Sequence, residues 1–308
     1  MRPAAAVGRF APSPSGVMHL GNVFSALLAW LSVRSAGGKM ILRIEDLDPD
    51  RSRQEYADAI RRDLEWLGLD WDEESLPQSR RTEYYRAAFD ALDAMGLVYP
   101  CYCTRAQLHA ASAPHASDGQ TVYPGTCRSL RPEDRPAGRA PAWRLKVPDE
   151  TVTFHDGLMG EYSENLLRGC GDFIIRRSDR VYAYQLAVVV DDADMHVSQV
   201  VRGGDLLSST PRQIYLYRLL GKTPPEFFHV PLLTAPDGRR LSKRDGDLDL
   251  DALRQRHTAE AIIGLLACAA GLLPKPEPVS AGELAPQFDW SRVTRERTVN
   301  IRKHIEQT

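Results

Sequence analysis

The sequence predicts a doubly wound parallel α/β core, interrupted by an insertion and followed by a short, mainly helical end. The first observation behind this is the order strand, loop, helix, strand at the start of the chain. Val7–Phe10 is a short apolar run. His19–Arg34 carries Leu20, Phe24, Leu27, Leu28 and Leu31 at helical spacing, and Met40–Ile44 reads as a buried strand. The second observation is that the alternation resumes much later, with Tyr184–Asp192 as helix, Gln199–Arg202 as strand and Pro211–Leu220 as helix. The third is the break between them. From Cys101 to about Arg144 the chain is rich in Gly, Pro, Ser and Arg, with little periodicity.

Between these landmarks the elements follow in order. Helices are expected over Ser52–Leu67 and Arg80–Met95, and strands over Trp143–Val147, Phe173–Arg176 and Val181–Ala183. Leu250–Leu273 reads as helix, before a Pro-rich, polar end. The expected organisation is a first half of the core over residues 1–97, an insertion over 98–182, the second half over 183–246, and a helical segment over 247–308. In an open parallel sheet of this kind, ligands sit outside the carboxyl ends of the strands.

Composition excludes several classes. With 43% hydrophobic and 26% charged residues, the chain has the make-up of a globular domain rather than a disordered or fibrous one. The longest apolar stretch, around Ala261–Leu273, is too short to span a bilayer, and Met1–Val7 lacks the apolar centre of a signal peptide. No membrane association and a cytoplasmic location are therefore expected, with the five cysteines as thiols or metal ligands rather than disulfides. A formal net charge of −2 argues against general nucleic-acid affinity, so any RNA-binding surface has to be local.

Two motifs carry the chemistry. Arg9-Phe10-Ala11-Pro12-Ser13-Pro14-Ser15-Gly16 is a rigid turn that leads through Val17 and Met18 to His19-Leu20-Gly21-Asn22 at a helix start. The free N–H groups and dipole of a helix N-terminus favour phosphate, and Gly21 lets a nucleotide approach the backbone. More than 200 residues later, Arg239-Arg240-Leu241-Ser242-Lys243-Arg244-Asp245-Gly246 places four cations in six residues, a loop suited to clamping a polyphosphate. Taken singly, the first is more often a turn with a surface histidine, and the second is as often a solvated basic turn.

Together they resemble the paired signature of class I aminoacyl-tRNA synthetases. His19-Leu20-Gly21-Asn22 stands for the family's H-I-G-H and Leu241-Ser242-Lys243-Arg244 for its K-M-S-K-S, with Asn22 replacing the second histidine and Arg240 the first lysine. The segments Arg9–Gly16, Arg43-Ile44-Glu45-Asp46, Tyr184–Asp192 and Val201-Arg202-Gly203-Gly204-Asp205 resemble the glutamyl/glutaminyl branch, over residues 9 to about 246. The resemblance implies a Rossmann-type catalytic core that activates L-glutamate with ATP and Mg²⁺. It implies that Arg9 and Arg202 bind the two carboxylates of glutamate, with Arg202 on the side chain. Glu45 would accept the α-ammonium, Tyr184 would line the pocket, and Phe10, Ala11, Pro12 and Ser13 would complete it. His19, Gly21, Asn22 and Lys243 would contact ATP, with His19 and Lys243 catalytic. Guanidinium groups suit these roles because they bind carboxylates through paired hydrogen bonds.

Cys101, Cys103 and Cys127 suit tetrahedral Zn²⁺, one structural ion stapling the insertion. Three sulfurs leave one position. By chemistry a histidine, His109 or His115, is favoured; the resemblance favours Tyr123. Cys170 and Cys268 read as small buried residues.

The segment after the Lys243 loop is too short for the anticodon-binding domain of a glutamyl-tRNA synthetase. The chain therefore most resembles truncated paralogues within the branch, which transfer activated glutamate to the queuosine nucleoside of tRNA(Asp). A monomer is expected. Two other readings stand beside this one: an enzyme charging the 3′ end of tRNA, and a non-catalytic RNA-binding paralogue. Retention of Arg9, His19, Glu45, Arg202 and Lys243 argues against the last.

Overall fold

The computed structural model describes residues 5–104, 107, 122–235 and 249–301. Its centre is a set of short parallel strands, the first two largely buried and the two-residue edge strand exposed. Strand β1 (Val7–Phe10) pairs with β2 (Lys39–Leu42), which pairs with the two-residue β3 (Glu73–Glu74). Met40, Ile41 and Leu42 are all buried, as expected for strands covered on both sides. Helix α1 (Leu20–Ser35) joins β1 to β2, and α2 (Gln54–Trp66) and α3 (Thr82–Ala94) follow.

The parallel pattern resumes with α4 (Tyr184–Asp194), β9 (Gln199–Gly203), α5 (Thr210–Leu219) and β10 (Glu226–Val230). Between α3 and α4 lie β4 (Val98–Cys101), β5 (Ala142–Leu145), the pair β6 (Thr151–Asp156) and β7 (Gly160–Asn165), and β8 (Phe173–Arg176). β9 and β10 form a second parallel ladder. The two ladders meet at Ser198: its N–H donates to Val7 O at 2.9 Å, its Oγ accepts from Val7 N at 2.9 Å, and its carbonyl accepts from Glu226 N at 2.9 Å. The chain thus leaves β1 toward β2 on one side and returns to β9 on the other. That reversal is the switch point at which open α/β sheets bind ligands.

Two apolar cores flank this arrangement. One joins β1, β2, α1 and α2 to the C-terminal helices α6 (Leu250–Arg254), α7 (Ala259–Ala269) and α8 (Ala281–Leu284). Sandwiching explains why α1 buries Ala29, Trp30, Ser32 and Val33 in addition to the stripe Leu20, Val23, Phe24, Leu27, Leu28 and Leu31. The other joins α3, α4 and α5 to the antiparallel sheet β4–β5–β8.

Most expected elements lie within two residues of their observed bounds, but three differences have physical causes. Val181–Ala183 forms a single bridge, Arg176 to Tyr182, because the chain turns back at Arg177–Arg180 and has no length left for a ladder. Leu250–Leu273 is two helices, because the Thr258 side chain caps Ala261 N and starts a new one. The β6–β7 hairpin was not foreseen, since its sequence, Thr-Val-Thr-Phe-His-Asp and Gly-Glu-Tyr-Ser-Glu-Asn, is mostly polar. Short strands β11 (Leu232–Thr234) and β12 (Thr298–Asn300) pair in parallel near the C-terminus. Among the described residues, no helix is long and apolar enough to cross a membrane.

α6 follows the cationic loop of Lys243, which lies outside the described residues. The far side of that loop is pinned next to the His19 turn, with Leu250 N donating to Met18 O at 3.0 Å. Arg254 of α6 pairs with Asp63 of α2 at 3.3 Å and stacks over Trp66. Burial outweighs this pairing and pushes Asp63 up to about 6, from an ordinary 3.8. A carboxyl whose folded value is raised stabilises the fold when protonated, and that contribution is lost as pH rises through the folded value. The melting temperature of the protein minus that of Asp63→Asn should therefore fall between about pH 4 and pH 6, then level off. Thermal melts across that range test it; a difference that rises with pH would show that the pair with Arg254 dominates.

Candidate active site

The sheet positions the site directly. Beyond the last paired residues of β1 and β2 the backbones stay zipped, with Arg43 N donating to Phe10 O at 2.8 Å and Glu45 N to Pro12 O at 2.9 Å. Alternation along an extended chain puts Arg43 and Glu45 on one face, and Arg43 Nη2 donates to Glu45 Oε1 at 3.0 Å. Helix α4 brings two carboxylates to the same place. Asp192 lies 2.6 Å from Arg43 Nη1 and 3.4 Å from Arg9 Nε. Asp191 accepts from Gln78, Arg81 and Tyr85 at 2.7, 2.7 and 2.9 Å. Carboxylates near the C-terminal end of a helix face its negative pole, so they need these donors.

Around this cluster opens a cavity of about 240 Å³. Arg9, Glu45, Tyr184 and Arg202 line one part of it, and His19, Gly21 and Asn22 another. Phe10, Ala11 and Pro12 contribute wall. Ser13 is exposed outside the lining, with its carbonyl accepting from Ser15 N. Lys243 lies outside the described residues. The structure thus gathers every other proposed amino-acid and nucleotide residue around one cavity at the switch point.

His19 is the N-cap of α1. Its Nδ1 accepts from Gly21 N at 3.1 Å and Asn22 N at 3.3 Å, while Asn22 Oδ1 accepts from His19 N at 3.2 Å. A ring nitrogen that accepts cannot carry the proton, so Nε2 is the protonated, donating nitrogen of the neutral ring. Asn22 fills the capping-box position and fixes the histidine backbone. Gly21 has a second reason to be glycine: a Cβ there would stand 3.0 Å from the imidazole.

The cations in the pocket are not equally compensated. Arg43 is fully buried between carboxylates, and their attraction raises its guanidinium above its ordinary value despite burial. Arg202 is also buried, and burial lowers its value. Among the described residues no carboxylate lies within ion-pair distance of Arg202, and its Nη1 is buried without a hydrogen-bond partner. Tyr184 gives it a favourable electrostatic contact. Glu45 is raised by burial, against the opposing pull of Arg43 and Arg9. The pocket therefore offers an uncompensated guanidinium near one carboxylate that is already held by an arginine.

The cysteine cluster lies apart from this pocket. The sulfurs of Cys101, Cys103 and Cys127 all fall within 4.8 Å of one another, and Cys103 Sγ is 3.6 Å from Cys127 Sγ. A tetrahedral ion with bonds of about 2.3 Å would place sulfurs roughly 3.8 Å apart, so this set fits zinc. Tyr123 Oη lies 3.5 Å from Cys101 Sγ and 3.9 Å from Cys103 Sγ, on the same cluster. Burial and the neighbouring thiols push Cys103 up to about 11, holding a proton that a bound cation would displace. Tyr123 is placed by a bridge to Gly171, where φ is +63° and a Cβ would meet Tyr123 O at 2.6 Å. His109 and His115 lie outside the described residues. Cys170 and Cys268 are buried, as expected.

Sequence reasoning gave no role to Arg43, Asp191, Asp192, Asp156 or His229. Arg43 and the Asp191-Asp192 pair lay within quoted motifs; the usable signal was a di-acid closing an apolar helix. His229 is a single polar residue in the apolar run of β10, which gave no such signal.

The switch-point pocket thus joins a histidine turn at a helix N-terminus to two buried arginines, Arg9 and Arg202. Residues 6–306 match the family described as tRNA synthetases class I (E and Q), catalytic domain. The chain belongs to this family, the glutamate and glutamine branch of the class I aminoacyl-tRNA synthetases. Within it the chain is 53% identical to a glutamyl-Q tRNA(Asp) synthetase of Symbiobacterium thermophilum, over 94% of each chain. It is 50% identical to a protein of the same name from Deinococcus radiodurans, over 94% of this chain and 98% of that one. A crystal structure of a glutamate tRNA ligase from Elizabethkingia meningosepticum, in complex with its amino acid, superposes with a TM-score of 0.81 at 27% identity. It covers 96% of this chain and 67% of that one.

Arg43→Gln tests the cluster. It leaves Glu45, Asp191 and Asp192 facing one another without their shared cation, a loss on the order of 3–5 kcal/mol for a broken buried pair. Chemical denaturation of the two proteins measures it. A loss under about 1 kcal/mol would mean that other donors hold the carboxylates.

Proposed function

We propose that this chain is a ligase that activates L-glutamate with ATP and transfers the glutamyl group to the queuosine nucleoside of tRNA(Asp). The observation that carries the amino-acid half is Arg202, a buried guanidinium in the pocket with no carboxylate partner among the described residues. A buried cation of this kind calls for an anionic ligand. The acceptor half is supported by the names of the relatives at 53% and 50% identity.

In this reading Arg202 binds the side-chain carboxylate of glutamate and Arg9 the α-carboxylate, with Tyr184 as wall. Glu45, oriented by Arg43, accepts the α-ammonium. The α-carboxylate oxygen attacks the α-phosphate of ATP in line and pyrophosphate leaves; Mg²⁺ bound with ATP would neutralise phosphate charge. The donor Nε2–H of His19, the N-terminus of α1 and Lys243 stabilise charge on the phosphates. A hydroxyl of the acceptor then attacks the mixed anhydride and releases AMP. One structural zinc would be held by Cys101, Cys103, Cys127 and Tyr123, tying Tyr102 and the β4 end to the Cys127 turn. Within this reading, residues 98–182 form the acceptor-side insertion between the two halves of the core.

The experiment uses ATP, labelled glutamate and total tRNA, followed by removal of the tRNA 3′ end. Label should remain on the shortened tRNA, and tRNA lacking queuosine should take up none. Loss of all label with the 3′ end would instead assign ordinary 3′ charging.

The zinc assignment has its own readout. Protein prepared without chelators should contain about one zinc per chain, and Cys127→Ser should lower that content strongly. Metal analysis that finds none in the wild type overturns it.

A further inference from the structure

Arg202 is held from outside the pocket. Asp156 ends β6 at the hairpin turn and is fully buried. Its Oδ1 accepts from Leu158 N at 3.0 Å and Met159 N at 2.8 Å. Its Oδ2 lies 2.6 Å from His229 Nδ1, and His229 N lies 3.2 Å from both oxygens. Backbone and ring donors hold this carboxylate below its ordinary value, although burial alone would raise it. It is therefore ionised and can only accept, which places the ring proton of His229 on Nδ1.

Nε2 is then a lone pair. It faces Arg202 Nε at 3.0 Å and Thr210 Oγ1 at 3.2 Å. Thr210 Oγ1 in turn accepts from Arg202 Nη2 at 2.7 Å. Nε and Nη2 are thus both occupied, and Nη1 is the donor left over. A proton on Nε2 would point at the N–H of Arg202 Nε and break the contact. Burial and the nearby Arg202 cation both disfavour that proton, and they lower His229 despite Asp156. The groups packed around the ring are Asp156 and Phe154 from β6, Arg202 from β9, Thr210 from α5, Phe227 on its own strand, and the charge of Asp205.

We propose that Asp156 and His229 are positioning residues for amino-acid specificity: Asp156 fixes His229 in its Nδ1–H form, and His229 locks Arg202 so that Nη1 meets the side-chain carboxylate of glutamate. Neither residue touches a reacting atom. This rests on the proposed glutamate activation and adds to it the device that sets its selectivity.

The assay is ATP–pyrophosphate exchange with full-length protein. In His229→Leu, KM for glutamate should rise roughly 10- to 100-fold, the scale of losing a hydrogen bond to a charged group. KM for ATP and kcat should stay near wild type, and the preference for glutamate over glutamine should shrink. His229→Gln offers a side-chain oxygen near the Nε2 position and should recover part of the loss. Asp156→Asn separates positioning from packing. Its oxygen belongs on the two backbone N–H groups, so its amide faces Nδ1 and drives the ring proton to Nε2, reproducing the KM effect at unchanged size. Wild type should also lose glutamate affinity as pH falls below the ordinary histidine range, and His229→Gln should lack that limb.

A glutamate KM within twofold of wild type in folded His229→Leu overturns the relay. If that variant does not fold, a wild-type KM in Asp156→Asn, or an acid limb retained in His229→Gln, does the same. Wild-type protein with no glutamate-dependent exchange would instead remove the underlying reading, so the two failures are distinct.

Discussion

Arg43 has no solvent exposure, and three carboxylates surround it: Asp192 at 2.6 Å, Glu45 at 3.0 Å and Asp191 at 3.8 Å. A charge in that position is tolerated only if it is neutralised on the spot. The residues that neutralise it come from separate parts of the chain, Glu45 from the end of β2 and the two aspartates from α4. Their pairing fixes the second half of the core against the first at the point where the strand order reverses. Gln78, Arg81 and Tyr85 brace Asp191 from the α3 side, so the helix that carries Tyr184 is held at both the sheet and its outer face. Pocket shape follows from this anchoring, because Arg9 and Glu45 both belong to it.

The contrast between two buried arginines gives the site its polarity. Arg43 is over-supplied with carboxylates and can have no role in catching a ligand. Among the described residues Arg202 is tied by neutral partners, a histidine nitrogen, a threonine oxygen and a carbonyl, with Tyr184 beside it. Neutral partners satisfy the geometry of a guanidinium without satisfying its charge, and that leaves a site for an anion. Had His229 been a carboxylate, it would have neutralised Arg202 and left no charge for an anion. A histidine held neutral by a buried aspartate serves as an acceptor without adding net charge beside Arg202, and this ties the polar hairpin β6–β7 to the pocket.

The histidine turn solves a different problem with similar means. His19 spends one ring nitrogen on the N-terminus of its own helix and keeps the other as a donor. The helix is capped and the ring tautomer is selected by the same two hydrogen bonds. That economy accounts for the spacing His-x-Gly-Asn: Gly21 clears the ring, and Asn22 returns a hydrogen bond to the histidine backbone.

By itself the sequence determined much of what depends on neighbours along the chain. Apolar periodicity located β1, α1, β2 and α4. Turn residues located the His19 loop, and cysteine spacing located the sulfur cluster. The motifs placed Arg9, Glu45, Tyr184 and Arg202 at strand ends and a helix start, where a parallel sheet concentrates its ligand contacts. Only the tertiary structure decided how those residues are used. Arg43 and Asp192 are 149 residues apart, and Asp156 and His229 are 73 apart. Whether a buried charge is compensated depends on what meets it across the fold, and no local pattern encodes that meeting. Composition could not distinguish the arginine that is neutralised from the one that is left to bind, because the difference lies in partners that folding alone brings within 3 Å.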